Sequence, residues 1–199
     1  MEVFAITGLS IMATGLHLLR FRCTGCGNCC RDPLLPMTDS DLRRIVDYTG
    51  MYARDVVKWI AREGIDLPGE PESFVMLRAG RRVMVLRHQR GHCRFLAADN
   101  RCTIYEARPL GCRIFPFDPD FNRQGKLVQL RLIEATDCLY ENDGSNNVNQ
   151  LRSLHRRTEA ELTDYQAKVV AWNAQQKRRI RGGKAAATTT MYLNYLGFV

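Results

Sequence analysis

Eight cysteines in two groups are the residues of this chain with the clearest capacity for chemistry. The first group is the run Cys23-Thr-Gly-Cys26-Gly-Asn-Cys29-Cys30, with four thiols in eight residues. Its first three cysteines have the C-x2-C-x2-C spacing with which ferredoxin loops hold an iron–sulfur cluster. Gly25 and Gly27 allow the tight turns that a backbone needs to wrap around a bound centre. The second group comprises Cys93, Cys102, Cys112 and Cys138.

The eight thiols suit two four-thiolate sites, or one site and a redox pair. Structural zinc and iron–sulfur clusters both use four thiolates, so the spacing leaves the metal undecided. Mixed iron sites also stay open, because four possible oxygen or nitrogen ligands lie close in sequence: His88, His92, Glu106 and Asp137. Two alternatives need no metal. The thiols could form disulfides, which a reducing compartment disfavours, or single downstream cysteines such as Cys138 could be plain buried residues.

The segment around Cys112 carries charged and rigid residues. Arg108 and Arg113 flank Cys112, and their positive charge would stabilise thiolates and a negatively charged four-thiolate site. They could equally bind a substrate carboxylate. We expect a structural role for Arg108 and keep the substrate role open for Arg113. Tyr105 and Glu106 are further candidates for supporting the centre or contacting a substrate.

The two motif blocks together resemble the YkgJ-type cysteine-cluster family, which is described as zinc- or iron-chelating. The blocks are C-x2-C-x2-C-C from Cys23, and C-x8-C-x2-Y-E-x-R-P-x2-C-R-x-F-P from Cys93; the likeness runs from about Leu18 to Cys138. A related branch includes the flagellin lysine N-methylase, so the resemblance implies that methyl transfer from S-adenosylmethionine is possible. The chain shows no Gly-rich nucleotide loop after a strand, and it lacks the C-x3-C-x2-C spacing of radical enzymes.

These residues must be positioned by helices and strands, and the predicted strands do not alternate regularly with the predicted helices. This pattern predicts an α+β fold. We expect a small, irregular, metal-organised domain with short antiparallel strands and peripheral helices, plus a long C-terminal helix. The periodicity predicts a helix from the N-cap Thr38 to Gly50 and a second one over about Ala53 to Arg62. Strands are predicted at Phe74–Leu77 and Val83–Leu86 around a hairpin turn, at Cys93–Leu96 and Cys102–Ile104 around Asp99-Asn100, and at Leu127–Ile133.

Three segments are predicted along the chain. Residues 1–15 are a tail or a mis-annotated start, with Met12 as an alternative first residue, and a strand at Leu16–Arg22 follows. Residues 16–145 form the cysteine-cluster domain. Residues 146–199 form a basic amphipathic helix and an apolar tail that packs on the domain. The helix is expected to begin at about Leu151 and to stop at Gly182-Gly183, with one apolar face: Leu151, Leu154, Leu162, Tyr165, Val169, Trp172 and Ile180.

Composition and charge limit the classes of protein to which this chain can belong. Hydrophobic residues are 45% and charged residues 25%, which excludes a disordered chain and a multi-span membrane protein. The formal net charge is +8, and +6 of it falls between Leu151 and Lys184. A solvated helix face explains that basic run, because it lacks the interleaved aromatics of a nucleic-acid patch. The stretch from Val3 to Leu19 contains no Asp, Glu, Lys or Arg. It lacks the features of an export signal, so we expect the protein to be cytoplasmic.

The residues favour a cytosolic protein that binds zinc or an iron–sulfur or iron centre through two groups of thiolates. One alternative is an iron-dependent enzyme that modifies a protein or peptide side chain. Another is a nucleic-acid-binding protein that uses the basic helix. Metal ions are the expected partners, nucleic acid is not favoured, and no membrane association is expected.

Overall fold

A computed structural model of the chain describes residues 15–31, 34–65, 71–133 and 140–198. The architecture is α+β, with short antiparallel strands and one long helix, as the sequence predicts. The helices are α1 (Asp39–Thr49), α2 (Ala53–Val56), α3 (Leu110–Ile114), α4 (Val148–Arg181) and α5 (Thr189–Tyr195). The strands are β1 (Arg22–Cys23), β2 (Val57–Ala61), β3 (Val75–Leu77), β4 (Gly80–Leu86), β5 (His88–Gln89), β6 (His92–Cys93), β7 (Phe117–Phe121), β8 (Leu127–Leu132) and β9 (Tyr140–Glu141).

An antiparallel sheet of order β2-β4-β3 and three two-stranded pairs make up the β structure of the described residues. The predicted hairpin is confirmed, since Leu77 pairs with Gly80 where β3 turns into β4. The strand predicted at Leu127–Ile133 is confirmed as β8, which pairs with β7. The other pairs are β5 with β6 and β1 with β9.

The prediction of a second helix over Ala53 to Arg62 is wrong beyond its first turn. The chain leaves α2 after Val56 and continues as β2, which pairs with β4 from Val57 opposite Leu86 onwards. The run Val-Lys-Trp-Ile is rich in β-branched and aromatic residues, which fit a pleated surface better than a helix. Pairing with a buried neighbouring strand therefore outweighs the helical spacing of its apolar residues.

Two shorter strand predictions also need correction. Residues Leu16–Arg20 form a 3-10 turn that follows Gly15 at a positive φ of 59°, and only Arg22–Cys23 is extended. The predicted strands at 93–96 and 102–104 reduce to β6 and to a single bridge between Leu96 and Cys102. The turn at Asp99-Asn100 is present, since the Asn100 amide donates to the Ala97 carbonyl. The predicted tail and Met12 lie outside the described residues, apart from Gly15.

The long helix α4 covers the main core with part of one face. Tyr165, Val169 and Trp172 are buried in the same cluster as Leu42 of α1 and Met84 of β4. The prediction that Ile180 belongs to this face is wrong, because Ile180 is 47% exposed. The helix begins one turn earlier than predicted and ends before Gly182-Gly183, as expected.

The chain after α4 returns to the same core. Tyr192, Leu193 and Phe198 are buried with Trp172, and the Tyr192 ring lies edge-on to the Trp172 ring at 5.0 Å. Met76 of β3 accepts a hydrogen bond from the Trp172 indole at 2.9 Å. Trp172 therefore joins α4, α5 and the sheet. Within the described part of the chain, none of the helices has the length and apolar character to cross a bilayer.

Trp172→Ala should lower the free energy of unfolding by about 3–5 kcal/mol, because it leaves a large cavity in the core. Trp172 is 3% exposed and also provides the indole hydrogen bond to the sheet. Urea unfolding followed by circular dichroism measures the change. Ile180→Ala on the same helix is the control, and we expect a change within about 0.5 kcal/mol. Equal losses in the two variants would contradict this account of the core.

Candidate metal centre

The first cysteine group begins at the end of β1 and continues through the loop that follows it. Cys23 ends β1, and a 3-10 turn over Asn28–Cys30 places the last two cysteines. Gly27 precedes this turn at φ 74°, and a Cβ there would lie 2.7 Å from the Arg31 guanidinium. The loop can therefore make this turn only with glycine or with a rearrangement of its neighbours.

Arg31 ties the first cysteine loop to the second group. Its guanidinium donates to the Cys26 carbonyl at 3.2 Å and to the Asn100 side-chain oxygen at 2.7 Å. Asn100 lies in the turn that joins β6 to Cys102. Neither Arg31 nor Asn100 is predicted as a site residue by the sequence analysis. The Asp99-Asn100 turn was the one available signal, and it indicated a change of direction only.

The second group is positioned by β6, the Leu96–Cys102 bridge and α3. Cys93 ends β6 and is buried, Cys102 follows the turn, and Cys112 lies in α3. The α3 segment is fixed by Asp41 of α1, whose carboxylate accepts a hydrogen bond from the Leu110 amide at 2.8 Å. Asp41 is 4% exposed, and it also accepts from the backbone amide of Thr38 at the start of α1.

One cavity of about 420 Å³ brings the two groups together. Six cysteines line it: Cys23, Cys29, Cys30, Cys93, Cys102 and Cys112. Cys26 does not line it, although the spacing places it in the same motif. Cys138 and Asp137 lie outside the described residues. The seven cysteines that the structure describes are all free thiols, which disagrees with the disulfide interpretation for them.

Three of the thiols accept hydrogen bonds from the backbone amide two residues later. Gly25 donates to Cys23 at 3.3 Å, Phe95 donates to Cys93 at 3.5 Å, and Ile104 donates to Cys102. Such bonds stabilise the thiolate form of a cysteine and tune the sulfur ligands of metal clusters. The local backbone thus offers one hydrogen-bond donor to a sulfur atom in each of these three cysteines.

The cavity wall combines apolar and cationic residues. Leu35, Leu86 and Phe115 contribute apolar surface, and a Cβ on Gly111 would lie 2.8 Å from Leu35. Arg108 also lines the cavity, with its guanidinium 3.7 Å from the centre of the Tyr105 ring. Tyr105 is 58% exposed, so this stacked pair forms an outer edge of the cavity.

The structure places the two arginines differently with respect to the cavity. Arg113 donates to the backbone carbonyls of Arg108 and Glu106, so its guanidinium braces the segment before α3. Arg108 is the one at the cavity, where its charge contributes to the lowered pKa of Cys29 and partly opposes the burial that raises the pKa of Cys102 and Cys112. Only the folded chain reveals which backbone carbonyls are free to accept from each guanidinium.

The thiols of the two groups influence each other's ionisation. A hydrogen bond from Cys30 is the main cause that lowers the pKa of Cys29 to about 7. The same bond, with burial, raises the pKa of Cys30 far above its usual range. Burial raises the pKa of Cys93 to about 11 and also raises that of Cys112. The shifts of Cys30, Cys93 and Cys112 each include a contribution from a thiol of the other group, as expected for two groups that line one cavity.

The donor set fits a soft metal, because thiolates select zinc and iron–sulfur clusters over hard cations. Zinc would supply a redox-inert cross-link, and an iron–sulfur cluster would supply electron transfer. Among the described residues, no three side chains of Cys, His, Asp or Glu converge closely enough to hold a single metal ion. The thiols instead surround a shared space, with His88 and His92 on the neighbouring β5–β6 pair.

Comparison with known proteins agrees with this geometry. A family model described as "Putative zinc- or iron-chelating domain", CxxCxxCC, matches residues 22–141. The chain belongs to the CxxCxxCC family. It is also 31% identical over 114 residues to the uncharacterized protein MJ0661 of Methanocaldococcus jannaschii. That match covers 57% of this chain and 53% of the relative, so it spans about half of the relative's length. No solved structure matches the chain.

Asp41→Ala should destabilise the CxxCxxCC domain and loosen the segment that carries Cys112. The substitution leaves the buried Leu110 amide without its acceptor, at a cost of about 1–3 kcal/mol, in addition to the lost helix cap. Thr38→Ala is the matched control, because it removes the cap hydroxyl at about 1 kcal/mol and keeps the Asp41–Leu110 bond. Urea unfolding measures both changes, and a loss in Asp41→Ala no larger than in Thr38→Ala would contradict this role.

Cys29 should be the neutral-pH nucleophile of the reduced, metal-free protein, because thiols react as thiolates. Its modification by iodoacetamide should rise with pH and reach half of its maximum near pH 7, whereas Cys93 should need a pH near 11. Differential alkylation with peptide mass spectrometry gives both midpoints. Cys30→Ala removes the thiol that donates to Cys29, so the Cys29 midpoint should move up toward 9. An unchanged midpoint in that variant would disprove the stated cause.

Proposed function

We propose that this CxxCxxCC protein binds zinc or an iron–sulfur or iron centre through thiolates from both cysteine groups. The observation that carries the proposal is that cysteines from both groups line one cavity. We assign Cys23, Cys29, Cys30, Cys93, Cys102 and Cys112 as the ligand pool at this cavity. Cys26 and Cys138 belong to the proposed ligands through their place in the motifs. Tyr105, Glu106, Arg108 and Arg113 support the centre or its access.

The proposed centre serves as a cross-link of the fold. The cysteine loop has little apolar content, and β1 and β9 pair over only two residues. Metal binding by such a loop contributes directly to folding free energy, because the ligands gather only in the folded state. The proposal places the protein in the cytosol, where thiols stay reduced. The free thiols of the described cysteines support that location.

Anaerobic metal and sulfide analysis with an absorption spectrum tests the proposal. We expect stoichiometric zinc without sulfide, or iron with inorganic sulfide and visible absorption. Cys112→Ser should lower the metal content, because it removes a thiol that lines the cavity. A purified anaerobic protein without stoichiometric metal would refute the proposal.

The variant Cys26→Ser tests whether a cysteine that belongs to the motif but does not line the cavity still binds the metal. We expect it to lower metal content and folded yield together, in keeping with its place in the C-x2-C-x2-C run. Full metal loading in this variant would remove Cys26 from the ligand set and leave the cavity cysteines as the site. Ser153→Ala on exposed helix surface is the control for handling and yield, since it removes a hydroxyl far from the cysteines in sequence.

A second candidate function is an iron-dependent enzyme that modifies a protein or peptide side chain. The cavity supports it, because about 420 Å³ lies within the usual range for small-ligand pockets, and Arg108 offers a positive charge at its edge. S-adenosylmethionine is not part of this candidate, since the family description names only zinc and iron. A spectrum of the metal-loaded protein that changes on addition of azide would favour this candidate, and an unchanged spectrum would favour a closed centre.

A further inference from the structure

Two stretches of the chain contain many basic residues and no acidic ones. Ser73–Ala98 has six arginines without any Asp or Glu, and Tyr165–Val199 has six lysines and arginines without any Asp or Glu. Both stretches lie outside the cysteine motifs for most of their length. Their charge is therefore not explained by the proposed metal centre alone.

The fold brings the β3–β4 turn of the first stretch to the C-terminal end of α4. The Arg78 amide donates to the Ala187 carbonyl at 2.7 Å, and the Ala187 amide donates to the Gln176 side chain at 3.1 Å. The hairpin turn adds Arg81 and Arg82, both close in sequence to Arg78. Eight cationic residues thus belong to this end of the molecule: Arg78, Arg81, Arg82, Lys177, Arg178, Arg179, Arg181 and Lys184.

These cations exceed what the helix end needs. The dipole of a helix corresponds to about half a negative charge at its C-terminus, and five of the cations follow residue 176. None of the ion pairs found among the described residues involves any of the eight. Their positive charge is therefore left available for an external anion.

A second cavity, of about 310 Å³, opens within this basic surface between α4 and α5. Arg178, Arg179 and Lys184 line it, together with Gln175 and Met191. The Arg179 Nε donates to the Ala185 carbonyl at 2.6 Å, which orients the guanidinium before any ligand binds. This cavity shares no lining residue with the cysteine cavity.

The helix α5 supplies the aromatic surface that the sequence of the basic run lacks. Tyr195 lies one turn after Met191 on α5. The residue is 42% exposed, and the centre of its ring is 5.1 Å from that of the Trp172 ring. Trp172 itself contributes to the lining of the basic cavity. Cations beside an exposed aromatic ring are the combination with which proteins bind single-stranded nucleic acid, by phosphate contacts and base stacking.

We propose that the basic cavity and the α5 surface form a binding site for single-stranded nucleic acid. A backbone phosphate enters the cavity between Arg178, Arg179 and Lys184, and a neighbouring base stacks on Tyr195. The adjacent hairpin arginines contact further phosphates. The site goes beyond the proposed metal function and does not depend on it.

Fluorescence anisotropy with a labelled 20-nucleotide single strand, in DNA and RNA forms, tests the site over a range of salt concentrations. The double variant Arg178→Ala, Lys184→Ala should weaken binding at least tenfold. It should also reduce the slope of log affinity against log salt by about 1.4, because each phosphate contact on a single strand contributes about 0.7. Tyr195→Ala should weaken binding without changing that slope, because stacking releases no counterions.

Arg123→Ala, Lys126→Ala is the matched control, with the same loss of two exposed charges in the β7–β8 turn, near Arg156 of α4 and away from its C-terminal end. It should change affinity less than twofold. Metal content and circular dichroism should be the same in all variants, which separates this test from that of the metal centre. Equal losses in the two double variants, binding to anionic vesicles without binding to the oligonucleotide, or full competition by millimolar inorganic phosphate would each overturn the proposal.

Discussion

The arrangement of the cysteine cavity depends on the hydrogen bonds that the buried carboxylate of Asp41 accepts. Asp41 lies at the start of α1 and receives hydrogen bonds from that helix's own N-terminus and from the Leu110 amide. A buried acceptor in a region of low dielectric is costly to leave unpaired, so each of these donors is strongly held. The orientation of α1 in the core thus determines where Cys112 stands. Arg44 and Glu161 extend the same network to α4.

The two cysteine groups reach the cavity on different elements of the fold. The first hangs from β1 and from the Arg31–Asn100 bond, while the second is carried by β6, the bridge at Leu96 and the Asp41-fixed segment. The Arg31–Asn100 bond also links the two groups, since Asn100 lies in the turn that leads to Cys102. This arrangement suits a site whose metal completes a fold that the chain has already outlined, because much of the loop entropy is lost before the ligand arrives.

The sequence predicted the features that rest on local pattern. The hairpin at Ala79-Gly80 and the α4 helix follow from turn residues and periodicity. The identity of β2 did not, because Val57, Trp59 and Ile60 satisfy both a helical and an extended pattern until a partner strand is present. The roles of Arg108 and Arg113 depended on which carbonyls the folded backbone leaves free. The N-cap Thr38 was predicted from its place before the helix, whereas the hydrogen bond between Asp41 and the Leu110 amide joins residues far apart in sequence and was not.

The β1–β9 pair gives the CxxCxxCC segment adjoining ends. Arg22 lies opposite Glu141, and the family match covers residues 22–141. A unit whose entrance and exit are neighbours can be inserted into a surface loop of another protein with little distortion of its host. The segment does not bury its apolar core alone, however, because Tyr165, Val169 and Trp172 of α4 pack against that core. A protein that contains this segment therefore needs another apolar element to cover it. Without one, polar side chains are needed at the positions that Leu42 and Met84 occupy in this chain.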